Sequence, residues 1–220
     1  MEYMKKLIFT LLAGSILLNV NGQNFNFSIH ADPQFSWFSS DEDNISPNGT
    51  VFHIKTGLEM NYFFQDNYAF TLGFDVNNMG GQLLYADSVE LVSKGDPVLI
   101  EPQTNLKHRV QYLSLPIGLK LKTEELGYLV FSFHGGFSPM ININSNISTD
   151  NNEFKKKDLK ESTNLFNLNY FVGANAEYRL GGSTSLIGGV RWSSGFTDVT
   201  KEDKANIRLN VISVHIAIQF

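Results

Sequence analysis

Glu59, Asp75, His134, Glu177, Arg179 and Arg191 are the residues best placed for chemistry. Each stands beside a bulky apolar neighbour in stretches otherwise rich in Gly, Asn and Ser. A charge in such company is costly to bury alone, so these residues must find one another or meet solvent. Facing one enclosed space, they support two outcomes. One is a salt-bridged, hydrogen-bonded plug; the other is a narrow ion path or proton-linked site. His30, Asp32, Lys120 and His215 share the same setting and are candidates to join them.

Other chemistries have weaker support. Ser132 with His134, and Ser213 with His215, are serine–histidine pairs two residues apart, which a strand puts on one face. A hydrolase would use such a pair, but neither has an evident carboxylate to orient its imidazole. No catalytic residue is assigned. The five histidines, His30, His53, His108, His134 and His215, lack the spacing of a metal site, and there is no cysteine. The glycines do not form a strand–loop–helix phosphate cradle. No metal and no cofactor are expected. A formal net charge of −5 without a basic face excludes nucleic acid as a partner.

The elements that must position the ionisable residues alternate with a period of two. Ile212, Val214, Ile216, Ile218 and Phe220 are apolar, while Ser213, His215, Ala217 and Gln219 between them are small or polar. Seven earlier segments share this pattern, at about 24–38, 50–64, 68–85, 107–122, 127–144, 165–180 and 185–198. Pro33 predicts a bulge or exposed end in the first segment. Connections at 65–67, 123–126 and 181–184 are short; those at 39–49, 86–104, 148–163 and 199–205 are mostly long. An even number of strands with short and long connections at opposite ends predicts an all-β fold, an eight-stranded antiparallel up-and-down transmembrane β-barrel. A soluble barrel would also alternate, but with its apolar face inward. In lipid the apolar face is outward, because only a closed barrel pairs every backbone group. Tyr62, Phe64, Tyr68, Tyr128, Tyr178 and Phe220 then fall at the periplasmic side, and Tyr85, Trp192 and Phe196 toward the other.

Export fits the same picture. Lys5 and Lys6 precede an apolar run, Leu7–Leu18, which is shorter than the roughly 20 residues a membrane helix needs. Val20 and Gly22 suit a cleavage site. The chain is therefore expected to divide into a signal peptide at 1–22 and an outer-membrane β-barrel domain at 23–220, placed in the cell outer membrane.

The segment Tyr112-Leu113-Ser114-Leu115-Pro116-Ile117-Gly118-Leu119-Lys120 resembles the "YLxIPLxLK" strand of the PorT-like outer-membrane β-barrel family. That family is typical of Bacteroidetes-type Gram-negative bacteria. Gly173 with Glu177-Tyr178, followed by Arg191 and Ser194-Gly195-Phe196-Thr197-Asp198-Val199, resembles its "GxxxEY … RYSxGLTNI" strands. Gly135-Gly136-Phe137 resembles its glycine-rich fifth strand. The resemblance implies an integral barrel of the porin-family kind without a defined reaction. It also implies contact with outer-membrane lipid, and a terminal Phe220 read as a signal by the barrel-assembly machinery. The family's best-known member assists type IX protein secretion. The expected role is non-enzymatic, structural or interactive, through extracellular loops that meet surface partners. The alternatives are an accessory barrel of a protein export or assembly machine, a narrow solute channel, and a lipid-modifying enzyme.

Overall fold

The computed structural model describes residues 24–42, 44–93, 96–149, 157–159, 162–201 and 206–220; the expected signal peptide lies outside them. The described strands are β1 (Phe25–Ser40), β2 (Ile45–Gly49), β3 (Val51–Gln65), β4 (Tyr68–Tyr85), β5 (Val89–Ser93), β6 (Asp96–Ile100), β7 (Thr104–Ser114), β8 (Ile117–Lys122), β9 (Leu129–Thr149), β10 (Lys157–Asp158), β11 (Phe166–Gly181), β12 (Thr184–Gly195) and β13 (Ile207–Gln219).

Among the described residues, eight staves close a ring of antiparallel neighbours: β1, β2 with β3, β4, β7 with β8, β9, β11, β12 and β13. The ring shuts where β1 pairs with β13, from Ser28–Gln219 up to Ser40–Ile207. Just below, Phe27 and Phe220 exchange backbone hydrogen bonds of 2.8 and 3.3 Å. The all-β barrel expected from the alternation is the fold observed.

Within each stave the two faces differ in polarity, and partway up the barrel they exchange it. On the lower part of β4, Tyr68, Phe70, Leu72 and Phe74 point outward and are exposed, while Thr71, Asp75 and Asn77 point inward and are buried. Above Asn77 the inward positions become Met79, Leu83 and Tyr85, and outward ones become Asn78 and Gln82. On β13 the inward face runs from Gln219, His215 and Ser213 up to Val211, Leu209 and Ile207. Its outward face runs from Phe220 through Ile212 up to Asn210 and Arg208.

An apolar outer face borders lipid, and a polar outer face over an apolar core borders water, so the exchange marks where the barrel leaves the membrane. The apolar outer stretch of β13, 212–220, matches the roughly 9–11 residues that a tilted strand needs to cross a bilayer. Aromatic residues sit at both borders. Tyr170, Trp192, Phe196 and Phe137 cluster at the upper one, with ring centroids 4.8–6.0 Å apart. Phe25 and Tyr62 stack at the lower one, 4.9 Å apart.

Several details differ from the alternation read in sequence. Tyr85 lies inside the upper barrel, 1% exposed, and not on an outer aromatic belt, because it stands above the polarity exchange. Pro33 causes no shift of phase: Asp32 and Gln34 on either side both point inward and are buried. It does interrupt pairing with β13 between His30 and Gln34, as a residue without N–H must. The fourth stave is broken at Leu115–Pro116, and the ladder continues because Gly73 N–H donates to the Pro116 carbonyl at 2.8 Å. In β9 the inward phase changes between Asn142 and Ser145, at a bulge opposite Gln111 and Tyr112. The long connections also hold structure: β2 prolongs the second stave, β5 and β6 form a hairpin, and β10 pairs with β9.

Candidate functional site

The lower half of the lumen is a polar storey held together by ion pairs. Asp32 and Lys55 face each other directly across β1 and β3, with Nζ 2.9 Å from Oδ2. Arg191 on β12 reaches across the barrel to Glu59 on β3, 3.3 Å from Oε2, while its Nε donates to His134 Nε2 at 2.9 Å. His134 Nδ1 therefore carries the ring proton, and the Asn175 amide 3.1 Å away accepts it when its oxygen faces the ring. Lower still, Lys120 and Lys122 grip the two oxygens of Glu177 at 2.9 and 2.8 Å. Four inward carboxylates (Asp32, Glu59, Asp75, Glu177) thus meet four inward cations (Lys55, Lys120, Lys122, Arg191) among the described residues. The balance matters because an uncompensated charge at this depth costs several kcal/mol.

Glycines make the longer links geometrically accessible. His30, Gly57 and Asp75 occupy one row across β1, β3 and β4. With no side chain at Gly57, Asp75 leans over the intervening stave and its Oδ1 meets His30 Nε2 at 3.0 Å. A Cβ at Gly57 would overlap that carboxylate. The same device recurs where Gly173 separates His134 from Arg191. A Cβ there would come within 2.6 Å of the His134 ring.

Of the sequence-singled residues, Glu59, Asp75, His134, Glu177 and Arg191 come together in this storey, and His30, Asp32, Lys120 and His215 join them. Arg179 does not. Its side chain is 52% exposed and pairs with Glu125 at 3.0 Å beside a vestibule of about 540 Å³ at the lower mouth. The stave has by then run below the lumen toward Gly181. Ser132 and Ser213 lie beside His134 and His215, but each imidazole is already bonded elsewhere, to Arg191 and to Asp32. The scattered histidines do form one cluster with a carboxylate, His30–Asp32–His215. Their spacing in the chain gave no sign of it, because closure of β1 on β13 creates it.

Above the polar storey the lumen is closed by apolar packing. Phe38, Met79, Leu83, Tyr85, Tyr112 and Leu209 are each at most 2% exposed. Between the storeys a cavity of about 20 Å³ touches Lys55, Asp75, Met79, Pro116 and Arg191, room for about one water. The connections at the upper end are tied to each other. Asn164 Nδ2 donates to the carbonyls of Asp198 and Thr200 at 3.0 and 2.6 Å, and Asn206 N–H donates to Asp41 Oδ1 at 2.7 Å. Asp198 Oδ1 accepts from Thr200 N–H and Ile207 N–H. Burial raises the Asp198 carboxyl above its ordinary value even so, against the pull of those hydrogen bonds.

Comparison with known proteins places these features. Residues 12–201 match the family described as "Outer membrane protein beta-barrel domain". Similar solved structures include Neisserial surface protein A, at 12% identity and TM-score 0.48, covering 88% of this chain and 97% of that one. OprG from Pseudomonas aeruginosa follows at 11% identity and TM-score 0.48, covering 89% and 95%. Ail, the attachment invasion locus protein of Yersinia pestis, gives 12% identity and TM-score 0.40, covering 89% and 97%. No curated protein matches the sequence.

Proposed function

From the premise that this chain belongs to the outer membrane protein beta-barrel domain family, we propose that it is a non-enzymatic barrel of the cell outer membrane that acts through its extracellular surface. In this reading residues 1–22 direct export and are removed, and the barrel-assembly machinery reads Phe220. The observation that carries the proposal is the doubly closed lumen. Salt bridges fill its lower half and apolar side chains fill its upper half. A molecule that cannot pass through the barrel must be met on its outside. The portion above the lipid is built for that, since its own apolar core supports connections tied by Asn164, Asp198 and Asp41.

A second reading is an accessory barrel of a protein export or assembly machine, of the PorT-like kind. It rests on the likeness of Tyr112–Lys120 to that family's strand, and it puts the working surface at the periplasmic mouth beside Glu125 and Arg179.

Two measurements test these readings. In planar bilayers the purified barrel is expected to give no stepwise conductance, and Arg191→Ala is expected to open at most a leak. Steady conductance by the unaltered protein would overturn the closed-lumen proposal. Photo-crosslinkers at Asp41 and at Glu125 in intact cells separate the two surfaces. Capture at Asp41 supports the extracellular role, and capture confined to Glu125 supports the export role.

A further inference from the structure

Barrel closure brings His215, near the end of the chain, to two residues near its start. His30 and Asp32 lie on β1 and His215 on β13, between the paired positions His30–Ala217 and Gln34–Ser213. They are 3%, 0% and 1% exposed. One donor atom from each lies within 4.8 Å of the others. Both histidines turn Nδ1 toward the same oxygen: His30 Nδ1 is 3.2 Å and His215 Nδ1 2.9 Å from Asp32 Oδ1.

The proton positions follow from the partners. His30 Nε2 stands 3.0 Å from Asp75 Oδ1, and an ionised carboxylate can only accept, so Nε2 carries the ring proton. When the ring carries that one proton, His30 Nδ1 turns a lone pair toward an oxygen that also presents only lone pairs, and at 3.2 Å this nitrogen is in no aligned hydrogen bond. Two acceptors facing each other in a buried site repel unless a cation lies between them. Lys55 does not fill the place, because its Nζ holds the other Asp32 oxygen, Oδ2, at 2.9 Å.

We propose that this cluster is a site for a divalent late first-row transition metal, Zn²⁺ or Cu²⁺, held by His30 Nδ1, His215 Nδ1 and Asp32 Oδ1. Two imidazole nitrogens and one carboxylate oxygen suit these ions, and a set of three protein donors leaves one position open. Bonds of about 2.0–2.1 Å bring tetrahedral donors to about 3.3 Å from one another, so side-chain movements on the order of 1 Å close the site. His215 Nδ1 gives up its proton to the medium as the metal takes its place. Asp75 acts as a positioning residue. Its bond to His30 Nε2 fixes the tautomer that offers Nδ1, the arrangement in which metal-ligating imidazoles are commonly held. Lys55 keeps Asp32 monodentate from the far oxygen. The apolar storey seals the site from above, so the metal enters from the periplasmic side or during folding.

The test uses the full barrel, made with an affinity tag lacking histidine, stripped with a chelator, and refolded in detergent with Cu²⁺ alone or Zn²⁺ alone. One equivalent of metal per chain is expected after desalting. The Cu²⁺ electron paramagnetic resonance spectrum should show hyperfine coupling to two imidazole nitrogens. His30→Ala and His215→Ala should each weaken binding at least tenfold, Asp75→Asn about 10–100-fold, and His53→Ala should leave it unchanged. Should the lumen variants not fold, the nitrogen count on the unaltered protein still decides. Stoichiometry well below one, a spectrum without imidazole coupling, or equal binding by folded His30→Ala would overturn the proposal and leave a proton as the only cation between His30 and Asp32.

Discussion

Asp32→Ala is expected to lower the unfolding free energy by about 3–5 kcal/mol, measured by urea titration of the barrel refolded in lipid vesicles. The size follows from what the carboxylate holds. Lys55 Nζ and His215 Nδ1 each sit 2.9 Å from it, and His30 lies alongside. Removing it leaves a buried ammonium whose other neighbour, Asp75, is 3.9 Å away and already bonded to His30. Losing one partner of a buried pair costs far more than losing both, because the survivor is left uncompensated. Adding Lys55→Met to Asp32→Ala should therefore recover a large part of the loss. A single-variant cost below about 1 kcal/mol would mean that water reaches the pair and that the lower lumen is open.

A second large effect is expected on the opposite face. Ile216 points outward on β13, midway along the apolar stretch from Ile212 to Phe220. Ile216→Lys should cost about 2–4 kcal/mol, because an ammonium there must sit in hydrocarbon. Phe220→Lys, at the lower border, should cost about 0–1 kcal/mol, since its charge reaches the headgroups. Asn210→Lys, above the polarity exchange, should cost little. Equal penalties at the three positions would place this face away from a membrane.

The barrel itself was legible because a strand's period of two survives any local detail. The third segment, Tyr68–Tyr85, coincides with β4, and the short connection at 65–67 is a tight turn. The exchange of polarity along the same strands was not read, although it is present in Asn78, Met79, Gln82 and Leu83. Period two persists through the exchange while the meaning of each face reverses, so Tyr85, inward by the parity of β4, is a core residue of the upper barrel and not part of an outer aromatic belt. The hairpin of β5 and β6 was grouped into a loop, yet Val89 and Leu91 followed by Val98 and Ile100 carry a weak alternation of their own.

The lumen network was legible only in part. An ionisable residue on an inward face can be picked out by its apolar neighbours, which is how Glu59, Asp75 and Arg191 were found. Arg179 satisfies the same rule and lies outside, because the rule fixes the face and not the height. Which inward residues touch depends on register between staves distant in sequence. His30 with His215 needs the ring to close, and His30 with Asp75 needs Gly57 to stand empty between them. The signal available in sequence was glycine at inward positions, and at Gly57 and Gly173 a neighbouring side chain crosses the stave.

The central claim is that the lower barrel presents its apolar face to lipid and its charged face to a closed lumen. The chain has no cysteine, so single cysteines can be placed cleanly at each position from 211 to 219 and spin-labelled in proteoliposomes. Collision rates with oxygen, which partitions into lipid, and with a water-soluble nickel complex then read the surroundings of each site. Ile212, Val214, Ile216 and Ile218 are expected to be open to oxygen and closed to nickel, and Ser213, His215, Ala217 and Gln219 shielded from both. The opposite phase, or no alternation, would contradict the account.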